Sequence, residues 1–550
     1  MNDRNFSVAL NGANGGRNLK RDIAVFLLII VFGLLLRALF FSGLIGSDDL
    51  AYAQNAHDLL SGKYSPKASP FWNRIGYIVL LAGVFRVFGI NEFALVIPPF
   101  LASLLQIFLA FLFLHRAGKK RAGFIAAGIM AVVPWDVIFA TRGYPDVPAG
   151  VAFSAFVFLV WRGGKTDKPL SFGASFIAGL LLSVTYMIKE MVLLQLLFWA
   201  PFLIYLTWKN KGISSATLAL MIAGAGLPWL IESVCYQFLA GDFFYRLHGI
   251  SAGYNQTIWS GIGMYGKNLL HRVLVEAPLS LLLDSAFLQC FAAGLIAYLF
   301  LRGHDKKLWP IFMWLACDLA FFAFGTTSFK EFNPLALDRR YMLIMVLPAV
   351  LLIGAGIDRG ITAFSESGER IKIAIAIFVF TALTAIDGYF QPGFLVWLSI
   401  AAFSLGIIFA LLRFENAFRI ALIAGAAAFV VYGMWISSEA MLYTAQPEKQ
   451  AYRFIQQDHV PIYADEKTKS ILEFFDGYKQ PIRFHDFSEI QTTEISNSFL
   501  IINEHRISFL MNTYQYKLPD RISEAASKMK LMKTFGMNQP GRKIYIFKAD

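Results

Sequence analysis

Apolar blocks of roughly 18 to 25 residues, each closed by a short polar break, recur along this chain from residue 23 to about residue 437. At 1.5 Å of rise per residue, such a block crosses the roughly 30 Å hydrocarbon core of a bilayer. Composition agrees: 57% of the residues are hydrophobic and only 16% charged, against about 25% charged in soluble domains. The chain therefore reads as a polytopic α-helical membrane protein whose first partner is the lipid bilayer. About thirteen transmembrane helices fit, starting near residues 23, 93, 123, 147, 170, 191, 215, 281, 308, 341, 372, 393 and 418. The first, Ile23 to Ser42, is too long for a signal-peptide core and has no clear small-residue cleavage site, so it is expected to be retained.

The polar breaks sort by charge. One alternating set, HRAGKKR, RGGKTDK, WKNK, RGHDKK, DRGITAFSESGERIK and RFENAFR, carries seventeen Lys or Arg, and the short breaks near residues 141, 189, 327 and 390 carry five. Lys and Arg accumulate on the cytoplasmic side. The expected topology has residues 1–22 as a cytoplasmic tail, 23–437 as the membrane domain, and 438–550 as an extracytoplasmic domain of a cell inner (plasma) membrane protein. The net charge of +12 is explained by these loops, and no basic stripe interleaved with aromatics suggests a nucleic-acid partner. Cys235, Cys290 and Cys317 lie in apolar runs, without disulfide or zinc spacing, and read as buried, inert thiols.

Three larger segments fall on the outer face. In the first, residues 43–92, the run RIGYIVLLAGVFRVFG is short for a span, is broken by Arg86, and suits a helix lying in the interface. The second, residues 239–280, is rich in Tyr, Gly and Trp. The third, residues 438–550, changes character. VPIYAD, QPIRFHDF, SFLIINEH and RKIYIFKA read as strands, and EKTKSILEFFDG and SEAASKMKLMKTFG as helices, giving a small α/β domain.

Acids and bases collect on that outer face. Asp48 and Asp49 follow the first span directly; Asp48 can cap a helix starting at Leu50, or the pair can serve chemistry. Tyr52 shares a helical face with Ala56, and His57 lies one turn from Ala53. TRGYPD holds Arg142 and Asp146, the tight turn MIKEM holds Lys189 and Glu190, and KEFNPLALDRRY holds Lys330, Asp338, Arg339, Arg340 and Tyr341. Charges at a membrane edge are costly to bury and are often functional, although cations there can also snorkel to headgroups. Asp318 falls within a span, where an interhelical hydrogen bond and a function are equally open; Glu232, Asp284 and Asp387 fall near outer helix ends, and Asn255 starts a sequon.

This pattern resembles the GT-C glycosyltransferases, in particular bacterial relatives of the protein O-mannosyltransferases and of the lipid A aminoarabinose transferase (glycosyltransferase family 39/83-like). The resemblance rests on SDDLAYAQNAHDLLSGKY, NRIGYIVLLAGVFRVFGINEFALVIPPFLASLL, ATRGYPDVPAG, YMIKEMVLL and RRYMLIMVLPAVLL, in that order. It departs at Glu190, where the family often has Gly or Pro after the Lys.

The resemblance implies a polyprenyl-phosphate-linked sugar donor and a lipid, glycan or protein acceptor, with transfer to an acceptor hydroxyl on the extracytoplasmic face and inversion at the anomeric carbon. Such a reaction needs a carboxylate to take the hydroxyl proton and fixed cations to meet the leaving phosphate. Asp48, Asp49 and Asp146 are the catalytic candidates, with Asp48 favoured as base by the resemblance. Lys189, Arg340 and Arg142 are the phosphate candidates. Tyr52, His57, Glu190 and Tyr341 are candidate lining residues. Asp49 and Asp146 are also candidate ligands for a divalent cation, Mg²⁺ or Mn²⁺; no other cofactor is implied. The rival readings are a secondary transporter, a lipid-linked-glycan ligase or polymerase, and a non-catalytic envelope scaffold. A transporter would favour internal repeats and charges near the midplane.

Overall fold

The computed structural model describes residues 4–163, 170–190, 192–209, 212–256, 268–283, 285–301, 305–326, 332–334, 338–363, 367–390, 394–412, 414–441, 444–490, 496–514, 517–536 and 541–549. Lys330 and Asp284, and the side chains of Asn255, Cys290 and Asp387, lie outside the described residues.

Helix α1 (Arg4–Leu39) enters a stretch of short elements, α2 (Asp48–Leu60), α3 (Pro70–Asn73) and α4 (Ile75–Phe88). There follow α5 (Glu92–Arg116), α6 (Lys120–Val132), α7 (Pro134–Phe139), α8 (Asp146–Gly163), α9 (Phe172–Ile188), α10 (Val192–Trp208), α11 (Ser215–Ala240) and α12 (Tyr245–Gln256). Later apolar helices include Ser285–Leu301, Trp309–Phe324, Leu343–Ala363, Ser367–Phe390, Phe394–Leu411 and Glu415–Met441. Among the described residues, six helices are long and apolar enough to cross a membrane, and several more apolar helices are shorter.

Local chemistry sets these boundaries. Asn91 caps α5 by accepting from the Ala94 N–H, Ser171 caps α9 by accepting from Ala174, and Ser214 and Thr217 form a reciprocal capping box on α11. The expected span near residue 123 is divided instead of continuous. Pro134 has no N–H to extend α6, so Val133 leaves the helix and Pro134 starts α7 at its first position. Large apolar side chains such as Leu28, Ile204, Phe238 and Ile423 stand exposed on these helices. In water that would be an aggregation surface; on a multi-pass membrane protein it is the lipid-facing surface. Cys235 belongs to this exposed set, not to the buried interior, and Cys317 is half-buried.

Helices pack closely where glycine allows. A Cβ on Gly179 of α9 would fall 1.9 Å from the Met221 carbonyl oxygen of α11, and one on Gly224 2.2 Å from that of Phe176. Close backbone approach through small residues is the usual membrane solution, since lipid gives helices no hydrophobic drive to associate. A buried ion pair adds to the packing. Arg37 of α1 donates to Asp136 of α7 at 2.5 Å, to Ser103 Oγ at 2.7 Å, and to the carbonyls of Gly33 and Ala131.

The C-terminal region forms a five-stranded sheet in the order β2-β1-β3-β5-β4, from β1 (Ile462–Ala464), β2 (Phe484–Asp486), β3 (Phe499–Asn503), β4 (Lys530–Phe535) and β5 (Ile544–Lys548). β1 runs parallel to β2 and β3, while β5 runs antiparallel to β3 and β4. The segment SEAASKMKLMKTFG departs from its expected single helix: the helix ends at Lys528 and KLMKTF becomes β4. Helix propensity in Lys, Leu and Met yields here to pairing with the open edge of β5, and Lys530 and Lys533 leave the new edge charged.

Candidate active site

The site begins in the eight residues between α1 and α2. Gly43 N–H donates to the Thr141 carbonyl at 3.0 Å, and Leu44 N–H to Glu92 Oε1 at 3.2 Å. Asp49 organises the rest of the turn: Oδ2 accepts from Ile45 N–H at 2.6 Å, and Oδ1 from Ser47 at 2.7 Å and Leu50 at 3.0 Å. Asp49 is fully buried. Burial pushes its carboxyl up, and the Ile45 and Ser47 N–H groups pull it back. The expected cap is thus reversed. Helix α2 already includes Asp48, its Ser47 N-cap makes no side-chain bond, and Asp49 satisfies the turn.

Asp48 is left to face outward from this turn and pairs with Arg340 Nη1. Arg340 stands on a 3-10 turn, Arg339–Met342, capped by Asp338. Asp338 accepts from the Arg340 backbone N–H at 3.0 Å, and its other carboxylate oxygen forms an ion pair with Arg340, 3.2 Å from Nε. Both members of the Asp48–Arg340 pair keep about a fifth of their side-chain surface exposed, 18% and 20%, so the pair is open to an incoming group.

Beside it lies a second, buried pair. Lys189, the C-cap of α9, bonds Asp146, the first residue of α8. Each charge suits its helix end: the carboxylate at an N-terminus, the ammonium at a C-terminus. The Lys189 ammonium also sits 4.2 Å from the centroid of the Tyr341 ring, and the Arg340 guanidinium 5.2 Å from the same ring. Tyr341 therefore brings the two cations to one place. Burial, with Arg74 and Arg340 as neighbouring cations, pushes the Lys189 ammonium down to about 8 against the pull of Asp146.

Glu190, the departure from the family pattern, does not join Lys189. It binds Arg74 through two bonds, Nε to Oε2 at 3.0 Å and Nη2 to Oε1 at 2.6 Å, and Arg74 also donates to the Tyr52 hydroxyl. Burial alone would raise Glu190, but Arg74 holds it far below the usual carboxylate range. The Lys turn is thus clamped to the start of α4. Sequence reasoning did not single out Arg74; its only signal was an arginine opening the mostly apolar run RIGYIVLLAGVFRVFG.

Two expected residues stand at the margins of the cluster. Arg142 lies over the Phe139 ring at 5.4 Å, its backbone bridged to Gly43, with Asp49 and Asp338 among its charged neighbours. His57 stacks on Tyr478 of the C-terminal domain at 4.7 Å and faces that domain instead of the cluster. Glu232 pairs with Arg246 at 2.5 Å on α12. The two proposed metal ligands do not make a fitting donor set. Both Asp49 oxygens accept backbone N–H groups, Asp146 Oδ1 holds an ammonium, and only Asp146 Oδ2 remains without a partner. Among the described residues no three His, Cys, Asp or Glu gather as a metal cluster.

The C-terminal domain is docked onto the same turn. Ala445 N–H donates to the Leu44 carbonyl at 2.8 Å, Arg506 Nη2 to the Ile45 carbonyl at 2.8 Å, and Lys449 to Glu92. Ile471 and Phe474 join Leu44, Leu50 and Tyr52 in one apolar cluster. Gly46, at φ +74°, allows this approach: a Cβ there would lie 2.6 Å from Ile471 Cδ1 and 2.9 Å from Arg506 Nη2.

Helical membrane domain, loop-borne acids and cations, and docked α/β domain together define the GT-C glycosyltransferase fold. Residues 75–231 match the family described as dolichyl-phosphate-mannose-protein mannosyltransferase. The chain is similar along almost its whole length to ArnT from Cupriavidus metallidurans. Against the crystal structure bound to undecaprenyl phosphate, identity is 14%, covering 94% of this chain and 97% of that one, at a TM-score of 0.55. Against the apo structure, identity is 13%, covering 97% and 98%, at 0.51. No curated protein sequence matches the chain.

Proposed function

We propose that the protein transfers a sugar from a polyprenyl-phosphate donor to an acceptor hydroxyl at the extracytoplasmic surface of the plasma membrane, with inversion. The observation that carries this reading is the half-open Asp48–Arg340 pair standing beside Lys189 on the shared Tyr341 ring. The relative bound to undecaprenyl phosphate supports the choice of lipid.

In this mechanism the donor phosphate enters against Arg340 and Lys189. Arg340 offers a planar fork and Lys189 a compact charge. Phosphate competes with Asp48 for Arg340, so donor arrival releases the carboxylate that the reaction needs. The acceptor oxygen attacks the anomeric carbon while its proton passes to Asp48. The bond from the anomeric carbon to the phosphate oxygen breaks, and its electron pair stays on the polyprenyl phosphate, where the two cations meet the new charge. Asp146 holds Lys189 in place, and the Arg74–Glu190 clamp fixes the turn that carries it.

The test uses purified protein in nanodiscs with bacterial envelope fractions as acceptor and a panel of radiolabelled undecaprenyl-phosphate sugars. Wild type should move label from lipid to acceptor and Asp48→Asn should not. Turnover by Asp48→Asn equal to wild type would refute Asp48 as base.

A further inference from the structure

The helix Glu466–Phe475 of the C-terminal domain lies against the turn that carries the acids. Asp465 caps it by accepting from the Thr468 N–H at 2.9 Å. Lys467, Ile471 and Phe474 share one face of this helix by 4–3 spacing. Ile471 is the side chain that closes on Gly46, and Ile471 and Phe474 pack with Leu44, Leu50 and Tyr52. That face carries Lys467, one turn earlier, toward Asp48 and Asp49. Burial pushes the Lys467 ammonium down, Asp49 and Asp48 pull it up, and Arg506 opposes them.

Two features set this lysine apart. A cation in the first turn of a helix opposes the helix dipole, and half-burying it adds a desolvation cost. No close partner offsets that cost. Lys189 holds Asp146, Arg74 holds Glu190 and Arg506 holds Glu448, whereas no carboxylate among the described residues lies within 4.0 Å of the Lys467 ammonium.

The proposed transfer needs such a cation. Asp48 is faced by Arg340, Asp49, Tyr52 and Tyr144 from the membrane domain and by Lys467 from the C-terminal domain. Once a donor phosphate takes Arg340, Asp48 stands beside a second carboxylate and an incoming anion. A partly buried carboxylate left without a counter-charge is strongly disfavoured. Asp49 has no such need, since its oxygens already accept three backbone N–H groups.

We propose that Lys467 is a positioning residue supplied by the C-terminal domain, which receives the Asp48 carboxylate when the donor phosphate takes Arg340. The proposal rests on the donor reading above and gives the docked domain a part in the reaction. Lys467 makes the exchange at Arg340 favourable and holds Asp48 in place for the acceptor hydroxyl.

Binding of undecaprenyl phosphate can be followed by tryptophan fluorescence in nanodiscs at neutral pH, with a melting curve for each variant. Lys467→Met should weaken binding about two- to fivefold, the worth of one partly exposed ion pair, and Lys467→Arg should restore it. Asp48→Asn should bind the lipid more tightly than wild type, because nothing then competes for Arg340. Adding Lys467→Met to Asp48→Asn should change binding no further. Lys467→Gln repeats the comparison should Lys467→Met not fold. The role of Lys467 alone is overturned if Lys467→Met binds like wild type, if Lys467→Arg does not restore binding, or if Lys467→Met weakens binding as much in the Asp48→Asn background, which would make Lys467 a direct phosphate contact. Asp48→Asn binding no tighter than wild type would overturn the exchange at Arg340 and the role of Lys467 with it. Failure of wild type to bind the lipid overturns the donor reading as well.

Discussion

Replacing each of the two adjacent acids by its amide should produce opposite defects. Asp49 makes three backbone hydrogen bonds inside a buried turn. Asp49→Asn keeps one oxygen, enough for Ser47 and Leu50, but turns an NH₂ toward the Ile45 N–H. One charge-assisted bond is lost and one buried donor is orphaned, together about 2–4 kcal/mol. Asp48, by contrast, sits in a pair whose members are 18% and 20% exposed. Loss of such a pair changes stability by about 1 kcal/mol or less. Thermal unfolding in nanodiscs and label transfer, measured on the same preparations, separate the two. Asp49→Asn should melt several degrees lower, with residual activity following the folded fraction. Asp48→Asn should melt near wild type and be inactive. Asp48→Asn melting as low as Asp49→Asn, or Asp49→Asn melting like wild type, would refute the division of labour between them.

The buried Arg37–Asp136 pair should behave as a unit. Asp136→Ala strands a guanidinium and is expected to cost about 3–5 kcal/mol, seen as poor membrane accumulation, while the double replacement Arg37→Met with Asp136→Leu should recover much of it. Donor binding should depend on pH through Lys189. Its ammonium titrates near 8; the protonated form binds phosphate, so the donor KM should rise as pH passes from about 7 to 9, and Lys189→Arg should remove that dependence.

How far the sequence could lead is clear from particular residues. The places of the apolar helices followed from apolar length, because a helix satisfies its own backbone hydrogen bonds in lipid. Four of the five strands were visible as short apolar runs. β4 was not, because KLMKTF becomes a strand only through the edge that β5 offers it. Asp48, Asp146, Lys189 and Arg340 were singled out as candidates by their charge next to apolar blocks, but their pairing was not legible. Asp48 and Arg340 lie 292 residues apart, and periodicity carries no information across such a distance. The same limit hid the partner of Glu190, since Arg74 lies 116 residues away, and hid the choice between Asp48 and Asp49, which depends on where three backbone N–H groups point.

The docking of the C-terminal domain has a consequence for how the enzyme is made. Ile45, just past the first long helix, is held by Arg506, 461 residues later in the chain. The turn that carries the acids can therefore take its final form only when translation is almost complete. Membrane insertion comes first and the finished turn last, so a nascent or truncated chain could be threaded through the bilayer while this turn still lacks its Arg506 contact.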